Sequence, residues 1–308
     1  MASYEDRQAL RNFAATVDVI SYEFENIPVE TVRYLQTLKP VLPDDRLLEV
    51  AQHRAREKKF LNDIGIPTAG WAAIEKADDI EQAARKLGGD SFILKTARFG
   101  YDGKGQAGYR PGDDAARKWE ELGRQELILE QKLDFACEVS VIVARDKLGQ
   151  TAHYGPVLNE HRNGILAKST VPASIPERTA EKARAAADLL AGAVDLVGVL
   201  ALEMFVTHEG GILANEIAPR THNSGHWTID ACACSQFEQH VRTVCSLPVG
   251  DPFRHSDAVM HNLIGGEALQ ASRWLEHPGA CLHFYGKNDV REGRKMGHVT
   301  ILNSKQSR

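Results

Sequence analysis

Residues 198–217 read GVLALEMFVTHEGGILANEI, two apolar runs joined by a polar, glycine-bearing turn, and the way they pair decides the fold. Gly198 to Val206 and Gly211 to Ile217 have strand length, and the residues between them mark an antiparallel hairpin. With the turn centred between Glu209 and Gly210, Glu203 and Glu216 stand directly opposite one another. Like charges across an antiparallel pair destabilise it, so two carboxylates on an otherwise apolar hairpin call for a counter-charge. A divalent cation supplies one. An oxygen-only set with Asn215 adjacent suits Mg²⁺, which takes one or two carboxylates and completes its shell with water and phosphate oxygens. A solvated sheet edge with two hydrated carboxylates is the competing reading of the same spacing.

Upstream, Phe92 to Lys95 is an apolar strand ending in a lysine, and Gly100-Tyr101-Asp102-Gly103-Lys104-Gly105-Gln106 follows it. The backbone N–H groups of a glycine loop, with a cation beside them, suit polyphosphate oxygens. A hairpin turn at Asp102-Gly103 accounts for the glycines equally well. The stretch is neither G-x-x-x-x-G-K-[ST] nor a G-x-G-x-x-G that opens a helix, which disfavours P-loop and dinucleotide-fold readings. Downstream, Asn215 to Trp227 packs donor-rich residues directly after an apolar strand, as a ligand-contacting loop or a polar surface turn would. Lys287, Arg291, Arg294 and Lys295 form a local basic cluster that fits a phosphate monoester, or a solvated loop.

A chain of 308 residues is about two domains long. Its 43% hydrophobic and 26% charged residues are those of a globular enzyme or binding protein, which excludes disordered and fibrous classes. With 37 basic and 42 acidic residues the net charge is −5, and no long basic block offers a nucleic-acid or anionic membrane surface, so any anion site is local. The most apolar stretch, Leu189 to Val206, contains Asp195 and Glu203 and reads as no membrane span; residues 1–6 read as no leader. Cys137, Cys232, Cys234, Cys245 and Cys281 are odd in number without a C-x-x-C spacing, the pattern of reduced thiols in a cytosolic protein.

The periodicity predicts helices over Tyr4 to Ala15, Pro28 to Leu38, Arg46 to Leu61, Lys76 to Leu87, Asp114 to Leu122 and Thr179 to Ala193. Strands are expected at Val17 to Tyr22, Phe92 to Lys95, Gln106 to Tyr109, Leu127 to Glu130 and Glu138 to Ala144. The tail from Asp251 mixes short strands and loops. The first of these strands calls for neighbours that the residues before it do not contain, so the chain reads as beginning inside a domain.

Four segments, Tyr22 to Pro28, Gly100 to Gln106, Asn215 to Trp227 and Gly293-Arg294-Lys295-Met296-Gly297-His298, resemble in order and spacing the motifs of the ATP-grasp superfamily. Within it they are similar to the N5-carboxyaminoimidazole ribonucleotide synthetase family of purine biosynthesis, and the resemblance covers nearly all of the chain. It implies an ATP-grasp fold of mixed α/β and α+β class. The parts would be a truncated N-terminal α/β domain over 1–50, a linker helix and lid over 51–133, and a C-terminal antiparallel-sheet domain with a basic tail over 134–308. The implied activity is carboxylation of 5-aminoimidazole ribonucleotide by bicarbonate, with ATP and Mg²⁺ (or Mn²⁺), in a cytoplasmic homodimer without nucleic-acid or membrane partners.

The same resemblance implies roles for single residues. Arg54 and Lys95 would contact ATP phosphates, covered by the loop of Gly100, Tyr101, Asp102, Gly103, Lys104, Gly105 and Gln106. Glu130, Gln131, Lys132 and Leu133 would form the adenine hinge and Glu138 would hold the ribose, with His161 and Asn215 in the nucleotide site and Glu203 and Glu216 on Mg²⁺. Arg220, Lys104 and Tyr101 would act in catalysis; Glu23, His222 and Asn223 would meet the ribonucleotide, and Lys287 and Arg294 its phosphate. Family members begin with a strand and a Gly-Gly-Gly-Gln-Leu-Gly-type loop and continue beyond the Gly297-His298 position, so this chain reads as shortened at both ends. Thr221 and Glu292 stand where the family has proline, which restricts a chain before binding. Two alternatives compete: a related ligase that uses formate or another acid, and a catalytically weak nucleotide-binding remnant with an exposed sheet edge.

Overall fold

Asp6 opens helix α1 (Arg7–Ala14) by accepting the N–H groups of Gln8 and Ala9, and Pro28 leads into α2 (Val29–Gln36). The structure, a computed structural model, describes residues 2–98, 100 and 105–305. The strand expected at Val17 to Tyr22 reduces to one parallel bridge between Ile20 and Val41. A ladder lengthens only alongside further strands, and among the described residues none flanks this pair. Ile20, Tyr22, Val32, Leu35 and Val41 instead close a small helical core.

The single helix expected over Arg46 to Leu61 is two, α3 (Asp45–Ala51) and α4 (Arg54–Asp63). Tertiary contacts make the break: His53 is extended at φ −142°, its ring meets Glu126 at 3.1 Å, and the Arg54 N–H donates to the Ala97 carbonyl at 2.9 Å. Asp44 caps α3.

A four-stranded antiparallel sheet follows, built from β1 (Trp71–Ile74), β2 (Phe92–Thr96), β3 (Gln106–Tyr109) and β4 (Leu127–Gln131) in the order β1-β4-β2-β3. Helices α5 (Ala77–Leu87) and α6 (Ala115–Glu121) accompany it, and Ile80 and Ala84 of α5 join the core of Ile74, Phe92, Leu94 and Leu129. Period-two alternation on β2 buries Phe92, Leu94 and Thr96 and turns Lys95 to the other face.

The remaining strands make one eight-stranded antiparallel sheet: β5 (Cys137–Arg145), β6 (Thr151–Arg162), β7 (Ile165–Val171), β8 (Gly198–Val206), β9 (Ile212–Ala218), β10 (Asp257–Ile264), β11 (Ala280–Phe284) and β12 (Lys295–Asn303). Their order is β11-β12-β10-β7-β6-β5-β8-β9. Helix α7 (Glu177–Ala193) packs Ala183, Ala187 and Leu190 on one face, whereas Trp227, α8 (Thr228–Ala231) and α9 (Gln236–Val244) lie on the other. Leu47, Leu61 and Ile66 are buried in the α7 core, so α3 and α4 pack on the large sheet, and the small sheet begins only at Trp71.

The β8–β9 hairpin pairs Glu203 with Glu216, but its turn sits half a residue from the expected centre. Val206 faces Ile212, and a β-bulge at Asn215 restores the register before Glu216. The bulge also breaks the parity of the outer edge of β9. Ala214 and Ile217, three positions apart, both donate outward, to the Pro67 carbonyl at 2.7 Å and to Glu57 Oε1 at 2.6 Å.

Candidate active site

Glu203 and Glu216 open onto one cleft whose wall also includes Arg54, His161, Arg220 and His222. Glu203 accepts from His222 Nε2 at 2.8 Å. The Ser224 backbone N–H and hydroxyl both reach His222 Nδ1, at 3.3 and 2.8 Å, so Nδ1 accepts and Nε2 carries the proton donated to Glu203. Behind it runs a row of buried side chains. Ser169 donates to Asn159 at 2.8 Å, Asn159 to Ser140 at 2.9 Å, and Ser140 meets Ser224 at 2.7 Å. These strand positions of β5, β6 and β7 thus fix the imidazole from inside the sheet.

Burial opposes the charge on Glu203, but His222 outweighs it and holds the carboxyl below its usual range. Glu216 faces the open cleft, yet the enclosing protein, and then the Glu203 charge, push its carboxyl up. One carboxylate satisfied and the other strained by its neighbour is the electrostatic signature of a position suited to a cation. Asn215, the extra residue of the bulge, is not on the cleft wall among the described residues. Beside Glu216, Glu57 of α4 is only 2% exposed and lines the same cleft. Burial first, then Glu216, raise its carboxyl to about 8.

Across the cleft, Arg54 donates to the carbonyls of Thr96 and Gly100 at 3.1 and 3.4 Å. A Cβ on Gly100 would lie 2.6 Å from Arg54 Nη1, so a larger residue there would displace the guanidinium. Gly105, at φ +69°, adopts a left-handed conformation with its carbonyl on the Thr96 N–H. Tyr101, Asp102, Gly103 and Lys104 lie outside the described residues. Gln106 pairs with Lys95 across β3 and β2.

Lys95 Nζ lies 2.6 Å from Glu130, and Lys58 Nζ reaches the other oxygen of the same carboxylate at 2.9 Å. Burial disfavours the Glu130 charge, but the two lysines overcome it and hold the carboxyl down to about 2. The Glu130 side chain is therefore committed to lysines within the expected hinge. Gln131 and Lys132 commit their backbone N–H groups to Gly70 and Ser91, both in loops beside the sheet, and Gln131 Nε2 caps the Leu87 and Gly88 carbonyls. Leu133 follows, half-buried. Glu138 accepts from His161 Nδ1 at 2.8 Å; burial alone would lower the imidazole pKa, and Glu138 with the cleft glutamates raises it.

Arg220 pairs with Glu25 at 2.9 Å, and Glu25 rather than Glu23 lines the cleft; Glu23 is exposed. His222 and Asn223 are on the wall. Lys287 is exposed, donating to the Lys295 carbonyl at 2.7 Å, and Arg294 donates to the Asp289 carbonyl at 3.0 Å; Lys295 is the member of that basic cluster on the cleft wall. Sequence reasoning missed Glu25, Glu57 and Lys58, and took Lys295 only as one member of the basic cluster. Glu25 sits in the segment that drew attention to Glu23, and Lys295 follows Arg294. Glu57 and Lys58 stand in the charged run Arg54-Ala55-Arg56-Glu57-Lys58-Lys59, where nothing in the pattern separates buried charges from solvated ones.

Comparison with known proteins agrees with this arrangement. The ATP-grasp domain family matches residues 59–237, flanked by the ribonucleotide synthetase preATP-grasp domain over 1–52 and the phosphoribosylaminoimidazole carboxylase C-terminal domain over 258–308. N5-carboxyaminoimidazole ribonucleotide synthase of Brucella melitensis is 50% identical over 304 residues, 98% of this chain and 84% of that protein. A solved N5-carboxyaminoimidazole ribonucleotide synthetase in its ADP complex superposes with a TM-score of 0.94 at 41% identity, over 99% of this chain and 81% of that one. The Aspergillus clavatus enzyme, in complex with ADP and 5-aminoimidazole ribonucleotide, gives 0.91 at 29% identity, over 98% and 81%. Fold and cleft together define an ATP-grasp carboxylate–amine ligase. Within that class the chain belongs to the N5-carboxyaminoimidazole ribonucleotide synthetase family.

Proposed function

We propose that this chain carboxylates the exocyclic amine of 5-aminoimidazole ribonucleotide with bicarbonate at the expense of ATP, yielding N5-carboxyaminoimidazole ribonucleotide, ADP and phosphate in purine biosynthesis. The observation that carries the reading is the opposed Glu203–Glu216 pair on a cleft walled by Arg54 and Arg220, in a chain whose relatives act on this substrate. The oxygen-only pair fits Mg²⁺, which when bound supplies Lewis-acid neutralisation of polyphosphate charge. Arg54 and Lys95 would hold phosphate oxygens, Lys95 kept in place by Glu130. His161 with Glu138 would border the ribose, and Arg220, oriented by Glu25, would face the reacting carboxyl group. The γ-phosphoryl group passes to a bicarbonate oxygen and ADP leaves. The amine then attacks the carboxyl carbon of carboxyphosphate, phosphate departs, and the amine proton is lost. Side chains that exclude water prolong the life of that intermediate.

The division into 1–50, 51–133 and 134–308 is part of the same reading, supported by one sheet falling within each of the last two spans. A cytoplasmic homodimer is the expected state; among the described residues no helix is long and apolar enough to cross a membrane. The test is ADP release by the 308-residue chain with bicarbonate or formate, each with and without the ribonucleotide. Bicarbonate-dependent turnover is expected, and stimulation by formate alone overturns the assignment. Glu216→Gln should weaken MgATP binding in calorimetry more than ten-fold, above about 1.4 kcal/mol, with an unchanged circular dichroism spectrum.

A further inference from the structure

Away from the cleft wall, Asp230 of α8, His283 of β11 and His298 of β12 bring three potential ligand atoms within 4.8 Å of one another. His283 and His298 are directly opposed across β11 and β12, and His283 Nε2 sits 3.0 Å from the Asp230 carboxylate. His298 is 1% exposed, and its Nε2 has no hydrogen-bond partner.

The protonation of that ring follows from its neighbours. Asn262 Nδ2 donates to the Leu166 carbonyl at 2.8 Å, which fixes the amide, so Asn262 Oδ1 accepts from Asn223 Nδ2 at 2.9 Å. The same Asn223 Nδ2 approaches His226 Nδ1 at 3.3 Å, so that nitrogen is an acceptor. Tyr285, 2.8 Å from both His226 Nδ1 and His298 Nδ1, must donate to the first and accept from the second. His298 therefore carries its proton on Nδ1, and Nε2 is a bare lone pair in the protein interior. The neutral form is reinforced by burial and by His283, which lower the His298 pKa to about 3. An unmatched buried acceptor is costly, and no donor faces it among the described residues.

We propose that Asp230, His283 and His298 form a second cation site, separate from the Mg²⁺ pair and selective for Zn²⁺. Two imidazoles and one carboxylate suit Zn²⁺ and not Mg²⁺. The Tyr285 contact to His298 Nδ1 is the outer-shell partner that a ligating histidine ordinarily has. Bonds of about 2.0–2.1 Å to a tetrahedral ion space its ligands at about 3.4 Å. The His283–Asp230 pair, 3.0 Å apart, is already inside that spacing, whereas the His283 ring stacks on that of His298 with centroids 4.7 Å apart, so ligation requires the partly exposed His283 to turn toward the buried His298. On binding, the proton that His283 Nε2 shares with Asp230 gives way to the metal, and His283 takes its Nδ1–H tautomer. Because Asp230 lies in the ATP-grasp part and both histidines in the C-terminal part, the ion ties the two together.

The test uses the whole chain, stripped with a chelator, passed through gel filtration after Zn²⁺ addition and assayed for bound metal, with Co²⁺ absorption as an independent readout. One equivalent of Zn²⁺ is expected to remain. His283→Ala, at a partly exposed position, should reduce the affinity at least about ten-fold, and Tyr285→Phe, which removes only the outer-shell hydroxyl, by about ten-fold. Glu216→Gln should leave Zn²⁺ retention unchanged, which separates this site from the cleft pair. Retention of no zinc, equal retention by His283→Ala, or loss in Glu216→Gln alone overturns the proposal.

Discussion

Glu130 holds the buried Lys58 and the half-buried Lys95 with one carboxylate, so the trio keeps one net positive charge. Removing one partner of a buried set leaves the rest unbalanced. Lys58→Met converts the trio into a neutral Lys95–Glu130 pair without touching a proposed phosphate contact. MgATP affinity should fall about ten-fold by calorimetry, with the KM for the ribonucleotide nearly unchanged; an unaltered nucleotide affinity would mean that Lys95 does not act through its charge. The depressed Glu130 carboxyl has its own signature. Its folded value near 2 lies below the ordinary 4.5, so its stabilisation is complete above 4.5 and is lost as pH falls toward 2.

At the scale of elements, β9 is an edge strand whose outward N–H groups are covered by Pro67 and Glu57. Such covering keeps an edge from pairing with another chain. Glu57, raised from 4.5 to about 8, works in the opposite pH direction to Glu130: its contribution is complete below 4.5 and is lost as pH rises through 8. Glu57→Gln keeps an acceptor for the Ile217 N–H and removes that loss, so its thermal stability should vary less than that of the wild type between pH 5 and 8. The difference is on the order of 4 kcal/mol at most. Glu57→Ala should cost about 1–3 kcal/mol throughout, because it leaves the buried N–H unpaired; a profile for Glu57→Gln parallel to that of the wild type would refute the account. The facing of Glu203 and Glu216 was legible in the sequence, although a bulge compensates for the misplaced turn, and no residue pattern announces a bulge. The α3–α4 break was not legible, since the helical pattern runs through Gln52-His53 and the partners that interrupt it, Ala97 and Glu126, are distant in sequence. Strands β1, β6 and β7 escaped notice for a related reason. Asn159, His161 and Ser169 look like loop residues until β5 and its neighbours give them partners.

In the whole molecule, the helical N-terminal part, the small sheet and the large sheet meet around the cleft's charges, and α3 and α4 also pack apolar side chains on the large sheet. Arg220–Glu25, Gln52 on the Glu25 and Ile27 carbonyls, and Ser21 on His240 join the first part to the rest. Glu25→Ala should therefore raise the KM for the ribonucleotide about ten-fold in steady-state kinetics while that for ATP stays within two-fold, as expected for loss of one charge-assisted contact that orients Arg220. Equal changes for both substrates would assign Glu25 to general packing. Hairpin pairing led to Glu203, and the family resemblance to His161 and Arg220, all cleft residues contributed by single strands and loops. Glu57 and the neighbouring Lys58, whose places depend on how the parts dock, became visible only with the fold, which also singled Lys295 out of its basic cluster. The buried row from Ser169 through Asn159, Ser140 and Ser224 to His222 bears on how the reaction disposes of its proton. Each hydrogen in it already has an acceptor, and the Asn159 amide neither releases nor takes up a proton near neutrality. Proton traffic inward from Glu203 thus ends at that amide, so the proton freed when the amine is carboxylated has no exit along this row and must pass to the groups or water of the cleft itself.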